Sequence, residues 1–195
     1  KLLGNNLTNH SVPTLVSSNQ DIIMSFINKY KQVVVKPLNL MGGQDIIKLS
    51  YRDKSLSRKI TNITQDAEKF IMVQKYLNQI KNGDTRILII NGIVHEDVLV
   101  RYPPKNDFRA NLSYGGKFEV KKIKYKHLSH LKDIGVFLKN NRIYFAGVDM
   151  IGDYITEINI TSPTGIQQIE TKDKYLSSKI SKEFEKIVEQ YYDDK

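Results

Sequence analysis

The sequence predicts an α+β fold built on antiparallel sheets, and three observations lead to that expectation. Short segments rich in β-branched residues alternate with segments whose apolar residues recur at helical spacing. Several neighbouring strand segments are separated by turns short enough for hairpins. Of the 195 residues, 40% are hydrophobic and 26% are charged, which is enough for one large or two small hydrophobic cores.

The first part of the chain alternates helix and strand. Ser18 is the expected N-cap of a helix, because Ile23, Ile27 and Tyr30 follow it at helical spacing. A β-branched strand then reaches Pro37, and Gly42-Gly43 marks a turn. The remaining predicted elements here are a strand over 46–51, a short helix over 64–69 and a strand over 70–76.

The later part contains the strongest turn signal, Asn91-Gly92, which is typical of a type I′ hairpin between strands 86–90 and 93–102. A long loop with two Pro and two Gly follows, and loops of this length are usually functional or disordered. The other predicted elements are helices over 128–138 and 174–192 and strands over 142–150 and 154–161. A boundary near 77–84 divides the chain into lobes 1–77 and 78–195.

Composition excludes several classes of function. There is no Cys, so a disulfide framework, a Cys-ligated zinc site and a thiol nucleophile are excluded. The net charge of +9 favours an anionic partner, either a polyanion or a phosphate ligand. No apolar run is long enough to span a membrane, and no signal peptide opens the chain. The sequence begins with Lys1 rather than Met, so we expect it to be part of a longer protein.

Lys36 and the following Met41-Gly42-Gly43 form the first candidate site. The residue before a proline is held extended, which fixes the direction in which Lys36 leaves its strand. A tight glycine turn lets backbone N–H groups approach a phosphate, and a lysine adds positive charge. The alternative is a hairpin turn beside a solvated lysine.

Asp149, Glu157 and Asn159 form the second candidate. Glu157 and Asn159 are two residues apart on one strand and therefore share a face. Asp149 joins that face if the connection through Gly152-Asp153 has an odd number of residues, whereas a strict two-residue turn places it on the other face. Two carboxylates and an amide oxygen suit Mg²⁺. The alternative is a solvated strand face.

Arg86, Arg101 and Arg109 form the third candidate, because arginine binds carboxylates and phosphates through two parallel hydrogen bonds. The alternative is surface charge. The remaining signals are weaker. His127 and His130 read as a solvated pair, His10 and His95 have no obvious companions, and the lysines over 121–126 are typical of an exposed basic strand edge.

Four segments in order resemble one family: KPL-x-x-MGG, QKYLNQIKNGDTRILIINGI, RYPPKNDFRANLSYGG and AGVDMIGDYITEINITSPTGIQQIE. Together they resemble the bacterial glutathione synthetases, which are ATP-grasp carbon–nitrogen ligases, from Lys1 to about Glu170. The resemblance implies two α+β lobes, with ATP between antiparallel sheets. It also implies a mobile lid over 102–116 and a further N-terminal region that completes the dipeptide pocket.

The resemblance implies a role for each matching position. Nucleotide contacts fall on Lys1, Lys36, Gly42, Gly43, Gln74, Lys75, Tyr76, Leu77 and Asp84. The metal ligands, for Mg²⁺ or Mn²⁺, are Asp149, Glu157 and Asn159. The acyl-phosphate and substrate positions are Arg86, Arg101, Arg109, Asn111, Ser162 and Thr164.

The activity implied is cytoplasmic, ATP-dependent ligation of γ-glutamylcysteine to glycine by a full-length homo-oligomer, with no nucleic-acid or membrane partner. One alternative is another ATP-grasp ligase that adds an amino acid to a peptide or protein, of the ribosomal-protein glutamate ligase type. Another is a non-catalytic basic module that binds polyanions; it predicts steeply salt-dependent binding and leaves the Asp149, Glu157 and Asn159 set unexplained.

Overall fold

The structure, a computed structural model, describes residues 9–38 and 44–193 and divides into two compact units. One unit is Ser11–Asn78, and the other contains His10 and the chain from Gln79 onward. The division therefore lies one residue after the expected boundary between lobes 1–77 and 78–195. His10 belongs to the second unit, where its carbonyl accepts a hydrogen bond from the Ile155 N–H at 2.8 Å.

The first unit is a four-stranded antiparallel sheet with two helices. Its strands lie in the order β1-β4-β2-β3, and the core between sheet and helices is formed by apolar residues such as Ile27, Val33, Ile60 and Val73. The elements are β1 (Thr14–Ser17), α1 (Gln20–Tyr30), β2 (Gln32–Pro37), β3 (Ile47–Ser50), α2 (Leu56–Thr64) and β4 (Ile71–Lys75).

Two predictions for this unit were wrong in detail. Helix α1 is capped by Asn19 rather than Ser18, because the Asn19 side chain accepts from the Ile22 N–H at 3.0 Å. A helix was predicted over 64–69, but the observed helix α2 ends at Thr64. Gln65, Asp66 and Ala67 all have positive φ, which terminates α2. The helix lies before them instead, since Leu56, Ile60 and Thr64 bury one face at four-residue intervals.

The second unit is a six-stranded antiparallel sheet with helices on both faces. The strands follow the order β10-β9-β5-β7-β8, and β6 pairs with the end of β5. A 3₁₀ turn over Asn78–Asn82 leads into the sheet. The elements are β5 (Asp84–Ile90), β6 (Ile93–Val94), β7 (Asp97–Tyr102), β8 (Lys117–Lys122), α3 (Tyr125–Asn140), β9 (Phe145–Ile151), β10 (Tyr154–Asn159), α4 (Ile166–Ile169) and α5 (Leu176–Asp193).

Alternate residues of the strands face two different cores. Ile87, Val148 and Ile158 pack with Leu131 and Ile134 of α3 on one face. The other face carries a smaller core, in which Leu88 and Leu99 pack against Ile169 of α4 and Leu176 of α5. This second face also carries the polar residues described below, so α4 and α5 cover only part of it.

The Asn91-Gly92 turn has the predicted geometry. Asn91 has φ +48° and Gly92 has φ +81°, both positive as a type I′ turn requires. The turn also packs closely on α3, because a Cβ added to Gly135 would lie 2.1 Å from the Gly92 carbonyl oxygen. The antiparallel α+β class expected from the sequence is confirmed in both units.

Candidate active site

Glu157 of β10 lies directly opposite Asp149 of β9, and a bulge is responsible. A two-residue turn joins the strands, since Tyr154 pairs with Ile151 and Ile155 pairs with Met150. The register then shifts at Thr156, so that Glu157 rather than Thr156 faces Asp149 and Asn159 faces Gly147. The turn therefore has two residues and not the odd number that would place Asp149 on the face of Glu157. The extra residue lies inside β10 and has the same effect on side-chain direction.

Asp149 is buried and bound by two arginines. Arg86 Nε and Nη2 donate to its two oxygens at 2.5 and 2.8 Å. Arg101 Nη2 donates to Asp149 Oδ1 at 2.9 Å and to Asp84 Oδ2 at 2.6 Å. Antiparallel pairing explains the convergence, because Arg86 pairs with Asp149 across β5 and β9 while Asp84 pairs with Arg101 across β5 and β7. The result is a charge network that spans three strands.

These contacts shift the pKa values in the network. Burial by itself would raise the pKa of Asp149, but the positive charges of Arg101 and Arg86 outweigh it and hold that pKa well below its ordinary value. For Arg86 and Arg101, burial opposes the charged state and the carboxylate of Asp149 more than compensates, so that the pKa of each guanidinium is raised. All three groups are therefore charged at neutral pH.

Glu157 and Asn159 extend this polar cluster along β10. The Asn159 amide is assigned the orientation that satisfies both of its neighbours. Its nitrogen then donates to Glu157 Oε1 at 2.8 Å, and its oxygen accepts from Arg86 Nη2 at 3.0 Å. Both side chains are half-buried. The three predicted metal ligands thus lie on one face and are linked through Arg86.

The segment after β10 closes over Arg86. Arg86 Nη1 donates to the Thr164 carbonyl oxygen at 3.0 Å and approaches Thr164 Oγ1 at 3.4 Å. Ser162, the other residue predicted here, is exposed. Two glycines make room for Arg86, because a Cβ on Gly147 would lie 3.0 Å from its Cδ and one on Gly165 would lie 3.5 Å from its Cγ.

Gly147 and the Thr156 bulge were missed as site-forming residues. The signal for Gly147 was its position inside a predicted strand, where an isolated glycine often marks a close approach. The bulge left no comparable signal, since Thr156 is an ordinary strand residue.

Arg109 and Asn111 lie in the loop after β7 and make contacts within that loop. Arg109 Nη2 donates to Asp107 Oδ2 at 2.7 Å, and its guanidinium lies 3.8 Å from the centre of the Tyr114 ring. Asn111 caps a short 3₁₀ turn by accepting from the Ser113 N–H at 3.1 Å. None of the described contacts joins Arg109 to the Arg86 and Arg101 cluster, so its catalytic role stays a prediction.

The predicted nucleotide residues Lys36, Gln74, Lys75, Tyr76 and Leu77 belong to the first unit. Lys36 is half-buried on β2, and Gln74 is buried and donates to Thr14 Oγ1 at 2.9 Å. The Lys75 and Tyr76 N–H groups already donate to the Pro13 and Gln32 carbonyls at 3.0 Å. A nucleotide contact of these two residues would therefore use a carbonyl or a side chain. The predictions for Lys1, Gly42 and Gly43 concern positions outside the described residues.

The predicted metal ligands fit a magnesium ion in their chemistry. Asp149 and Glu157 carry carboxylate oxygens and Asn159 an amide oxygen, which are the donor types Mg²⁺ prefers. In this structure the Asp149 oxygens and the Asn159 oxygen accept from arginines, so a bound cation would share them with those donors. The neighbouring Arg101 Nε is buried without a hydrogen-bond partner, so the network retains an unused donor. The cluster therefore combines oxygen donors with guanidinium groups on one face of the sheet.

Solved structures define the class of this fold. The D-cycloserine synthetase DcsG superposes with a TM-score of 0.60 at 12% identity, covering 78% of this chain and 58% of that chain. The ATP-grasp ligase PsnB in complex with its minimal precursor superposes with a TM-score of 0.59 at 18% identity, covering 83% and 50%. The fold is therefore the ATP-grasp fold.

Sequence comparison identifies the family within that class. The sequence profile described as "Prokaryotic glutathione synthetase, ATP-grasp domain" matches residues 1–174, and the chain belongs to this family. It is 38% identical to the glutathione synthetase of Coxiella burnetii over 84% of this chain and 51% of that protein. It is 40% identical to that of Pseudomonas putida over 82% and 50%.

The chain spans about half the length of these curated relatives. The match of the family profile ends at residue 174, just before helix α5 begins at Leu176. Within the residues that the structure describes, no helix is both long and apolar enough to cross a membrane.

Proposed function

We propose that this chain provides the ATP-grasp part of a glutathione synthetase, which joins γ-glutamylcysteine to glycine at the expense of ATP. The observation that carries the proposal is the Arg86, Asp149, Glu157 and Asn159 cluster in a chain of this family. Its cations and its oxygen donors lie on one face of the sheet, as transfer of a phosphoryl group to a carboxylate requires.

The reaction proceeds in two steps that balance. The dipeptide carboxylate attacks the γ-phosphorus of ATP and forms an acyl phosphate, with ADP as the leaving group. The glycine amine then attacks the acyl carbon, forming the amide bond, losing a proton and releasing inorganic phosphate. Neither step needs a covalent bond to the protein, which agrees with the absence of Cys.

Asp149, Glu157 and Asn159 are the residues proposed to hold the Mg²⁺ that accompanies the nucleotide. When bound, Mg²⁺ neutralises charge on the phosphates during phosphoryl transfer. The all-oxygen donor set suits Mg²⁺ and Mn²⁺ alike, so either ion is proposed to fill this site. Lys36 is proposed to add positive charge at the nucleotide phosphates.

Arg86 and Arg101 are proposed to stabilise the acyl phosphate and the oxyanion formed when glycine attacks. Arg101 suits this role because its Nε is buried without a partner while its Nη2 is anchored by Asp84 and Asp149. A preorganised donor of this kind typically contributes about 3 kcal/mol to stabilisation of the transition state. Arg109, Asn111, Ser162 and Thr164 are proposed to contact the substrate, and the loop over 102–116 to exclude water.

The cytoplasm is the proposed location, because the proposed reaction consumes ATP. Homo-oligomerisation of the full-length enzyme stays a prediction.

The alternative ligase of the ribosomal-protein glutamate type shares the nucleotide chemistry and differs in its acceptor. The alternative polyanion-binding module needs neither Mg²⁺ nor the carboxylates.

Nucleotide binding tests the first part of the proposal through thermal unfolding of the chain with ATP, with and without MgCl₂. A ligand at ~100 times its Kd stabilises the folded state by about 2.7 kcal/mol, which is a measurable shift in Tm. Glu157→Ala is expected to lose the Mg²⁺-dependent part of that shift. Glu185→Ala is the matched control, because Glu185 is an exposed glutamate on α5. An equal shift without Mg²⁺, or in Glu157→Ala, would contradict the proposed metal ligands.

Product analysis tests the substrates. The chain is incubated with ATP, MgCl₂, γ-glutamylcysteine and glycine, and products are identified by mass. Glutathione with one ADP per molecule supports the proposal. Ligation of glutamate to a protein instead supports the alternative ligase, and binding of any polyanion without ADP formation supports the binding module.

A further inference from the structure

His95, Asp97 and Asp173 form a second cluster of metal-ligating side chains, at the end of the sheet away from Arg101. One potential ligand atom from each residue lies within 4.8 Å of the other two. Asp97 is the first residue of β7, and Arg101 lies four residues further along it. Four residues of a strand span about 13 Å. The cluster is therefore separate from the proposed magnesium site.

The three residues come from two parts of the chain. His95 and Asp97 lie between β6 and the start of β7, whereas Asp173 lies in the connection from α4 to α5. The backbone holds His95 in place, because its N–H donates to the Leu88 carbonyl at 2.8 Å. The Asp173 backbone is fixed in turn, since its N–H donates to the Ile169 carbonyl at 3.1 Å. Both sides of the cluster are thus built on hydrogen-bonded segments.

His95 is the residue that makes this cluster more than an acidic patch. Its Nε2 is buried and makes no hydrogen bond, and it lies 3.9 Å from Asp173 Oδ2, beyond hydrogen-bond distance. The imidazole nitrogen is a common ligand of divalent transition metals. An imidazole and two carboxylates with ligand atoms within 4.8 Å of one another are the donor set of such a site.

Each of the two carboxylates already accepts from a lysine. Asp97 Oδ2 accepts from Lys122 at 3.2 Å and Asp173 Oδ2 accepts from Lys179 at 2.7 Å, and both lysine side chains are more than 60% exposed. The carboxylates themselves are only 14% and 12% exposed, so a cation that binds here must displace the lysines, whose ammonium groups can turn into solvent. Zinc ligands in a tetrahedron lie about 3.4 Å apart, so a shift of roughly 1 Å would close the cluster around an ion.

We propose that His95, Asp97 and Asp173 bind one divalent transition-metal ion of the zinc class, which ties the α4–α5 connection to the start of β7. The imidazole ligand favours such ions over Mg²⁺, because affinity for nitrogen donors rises along the first transition series. Water completes the coordination shell. The role is structural, since the site lies outside the proposed catalytic cluster.

Cobalt titration of the chain tests this site. The protein is freed of metal with a chelator, titrated with Co²⁺ while visible absorption is recorded, and then titrated with Zn²⁺ in competition. One equivalent of each ion is expected to bind. His95→Ala and Asp97→Asn are each expected to weaken Zn²⁺ binding roughly tenfold or more. Zn²⁺ is also expected to raise the Tm of the unmodified chain and not that of either variant.

His127→Ala is the matched control. His127 Nε2 also lies beside a carboxylate, Asp153 Oδ1 at 3.1 Å, with Lys126 bound to the same oxygen. His127 is paired with one carboxylate rather than two, so removal of the His127 side chain should leave the cobalt spectrum unchanged. Asp97→Asn keeps the shape of the side chain, so it still tests the site if His95→Ala does not fold. Circular dichroism checks that each variant is folded.

The proposal is overturned if Co²⁺ gives no absorption band, if His95→Ala binds Zn²⁺ as tightly as the unmodified chain, or if His127→Ala removes the signal. Retention of the cobalt spectrum in Glu157→Ala is expected, because Glu157 belongs to the other cluster. Its loss would assign the signal to the proposed magnesium site and overturn the second one.

Discussion

Glu157 lies directly opposite Asp149, although the turn between their strands has only two residues, because Thr156 is an extra residue within β10. Without that bulge, Thr156 would face Asp149 and Glu157 would point into the core beside Val148. One backbone irregularity therefore decides whether the second carboxylate belongs to the site or to the hydrophobic interior.

Deletion of Thr156 tests this interpretation. The residue after Ile155 would then be Glu157 itself, in regular register opposite Asp149, so the carboxylates should still share a face. We expect the shortened chain to fold and to retain Mg²⁺-dependent stabilisation by ATP in thermal unfolding, with some loss of stability from the missing Thr156 Oγ1 bond to the Asp149 carbonyl, which is 3.2 Å long. Loss of the Mg²⁺ effect in a folded chain would show that the bulge itself shapes the site.

Asp149→Asn is expected to destabilise the second unit by roughly 3–5 kcal/mol, because it leaves two buried guanidinium groups without their shared carboxylate. Urea unfolding followed by circular dichroism measures the change. Asp153→Asn is the control, since that carboxylate is 54% exposed and pairs with Lys126 at the surface. A similar loss of unfolding free energy in Asp149→Asn and Asp153→Asn would contradict the conclusion that burial makes the Asp149 contacts important.

The pH dependence of stability should report on the same carboxylate. Burial would raise the pKa of Asp149, but the charges of Arg101 and Arg86 outweigh it and lower the pKa to about 2 in the folded protein. A carboxyl group whose pKa is lowered by folding contributes stability above its unfolded pKa of about 3.9, and that contribution is lost as the pH falls toward the folded value. The stability difference between the unmodified chain and Asp149→Asn should therefore shrink between pH 5 and pH 2. A difference that stays constant across this range would contradict the assignment.

Gly147→Ala is expected to displace Arg86. The new Cβ would lie 3.0 Å from Arg86 Cδ, 3.2 Å from Arg86 Nη1 and 3.2 Å from Pro163 Cβ, so these groups must move by a few tenths of an ångström. We expect a loss of about 1–3 kcal/mol in unfolding free energy. On an Arg86→Ala background the same substitution should cost less, because the obstructing side chain is gone. Equal costs on both backgrounds would assign the strain to Pro163 alone.

The sequence predicted much of the fold from local patterns. The apolar spacing of α1 and the Asn91-Gly92 turn indicated their structures correctly, because both are set by nearby residues. The helix expected over 64–69 failed for the opposite reason. Three successive residues with positive φ end α2 at that point, and nothing in the side chains of Gln65, Asp66 and Ala67 requires that conformation.

The candidate site also combines features that local sequence patterns indicated with features that they did not. The residue types at Asp149, Glu157, Asn159 and Arg86 predicted a metal and anion site, which stays a prediction, and the resemblance of the surrounding segments indicated the family to which the chain belongs. Which of these residues meet was not determined by their spacing. His95 had no apparent companion in the sequence, yet the fold brings Asp173 to it from 78 positions further along the chain.

The sequence by itself determined the antiparallel α+β class and the family, because those depend on composition, periodicity and local motifs. Only the tertiary structure decided the register of β10 on β9, the sharing of Asp149 between Arg86 and Arg101, and the close approach of Gly147 to Arg86. Those features depend on which strands become neighbours and on a bulge of one residue, and side-chain spacing along the chain carries no information about either.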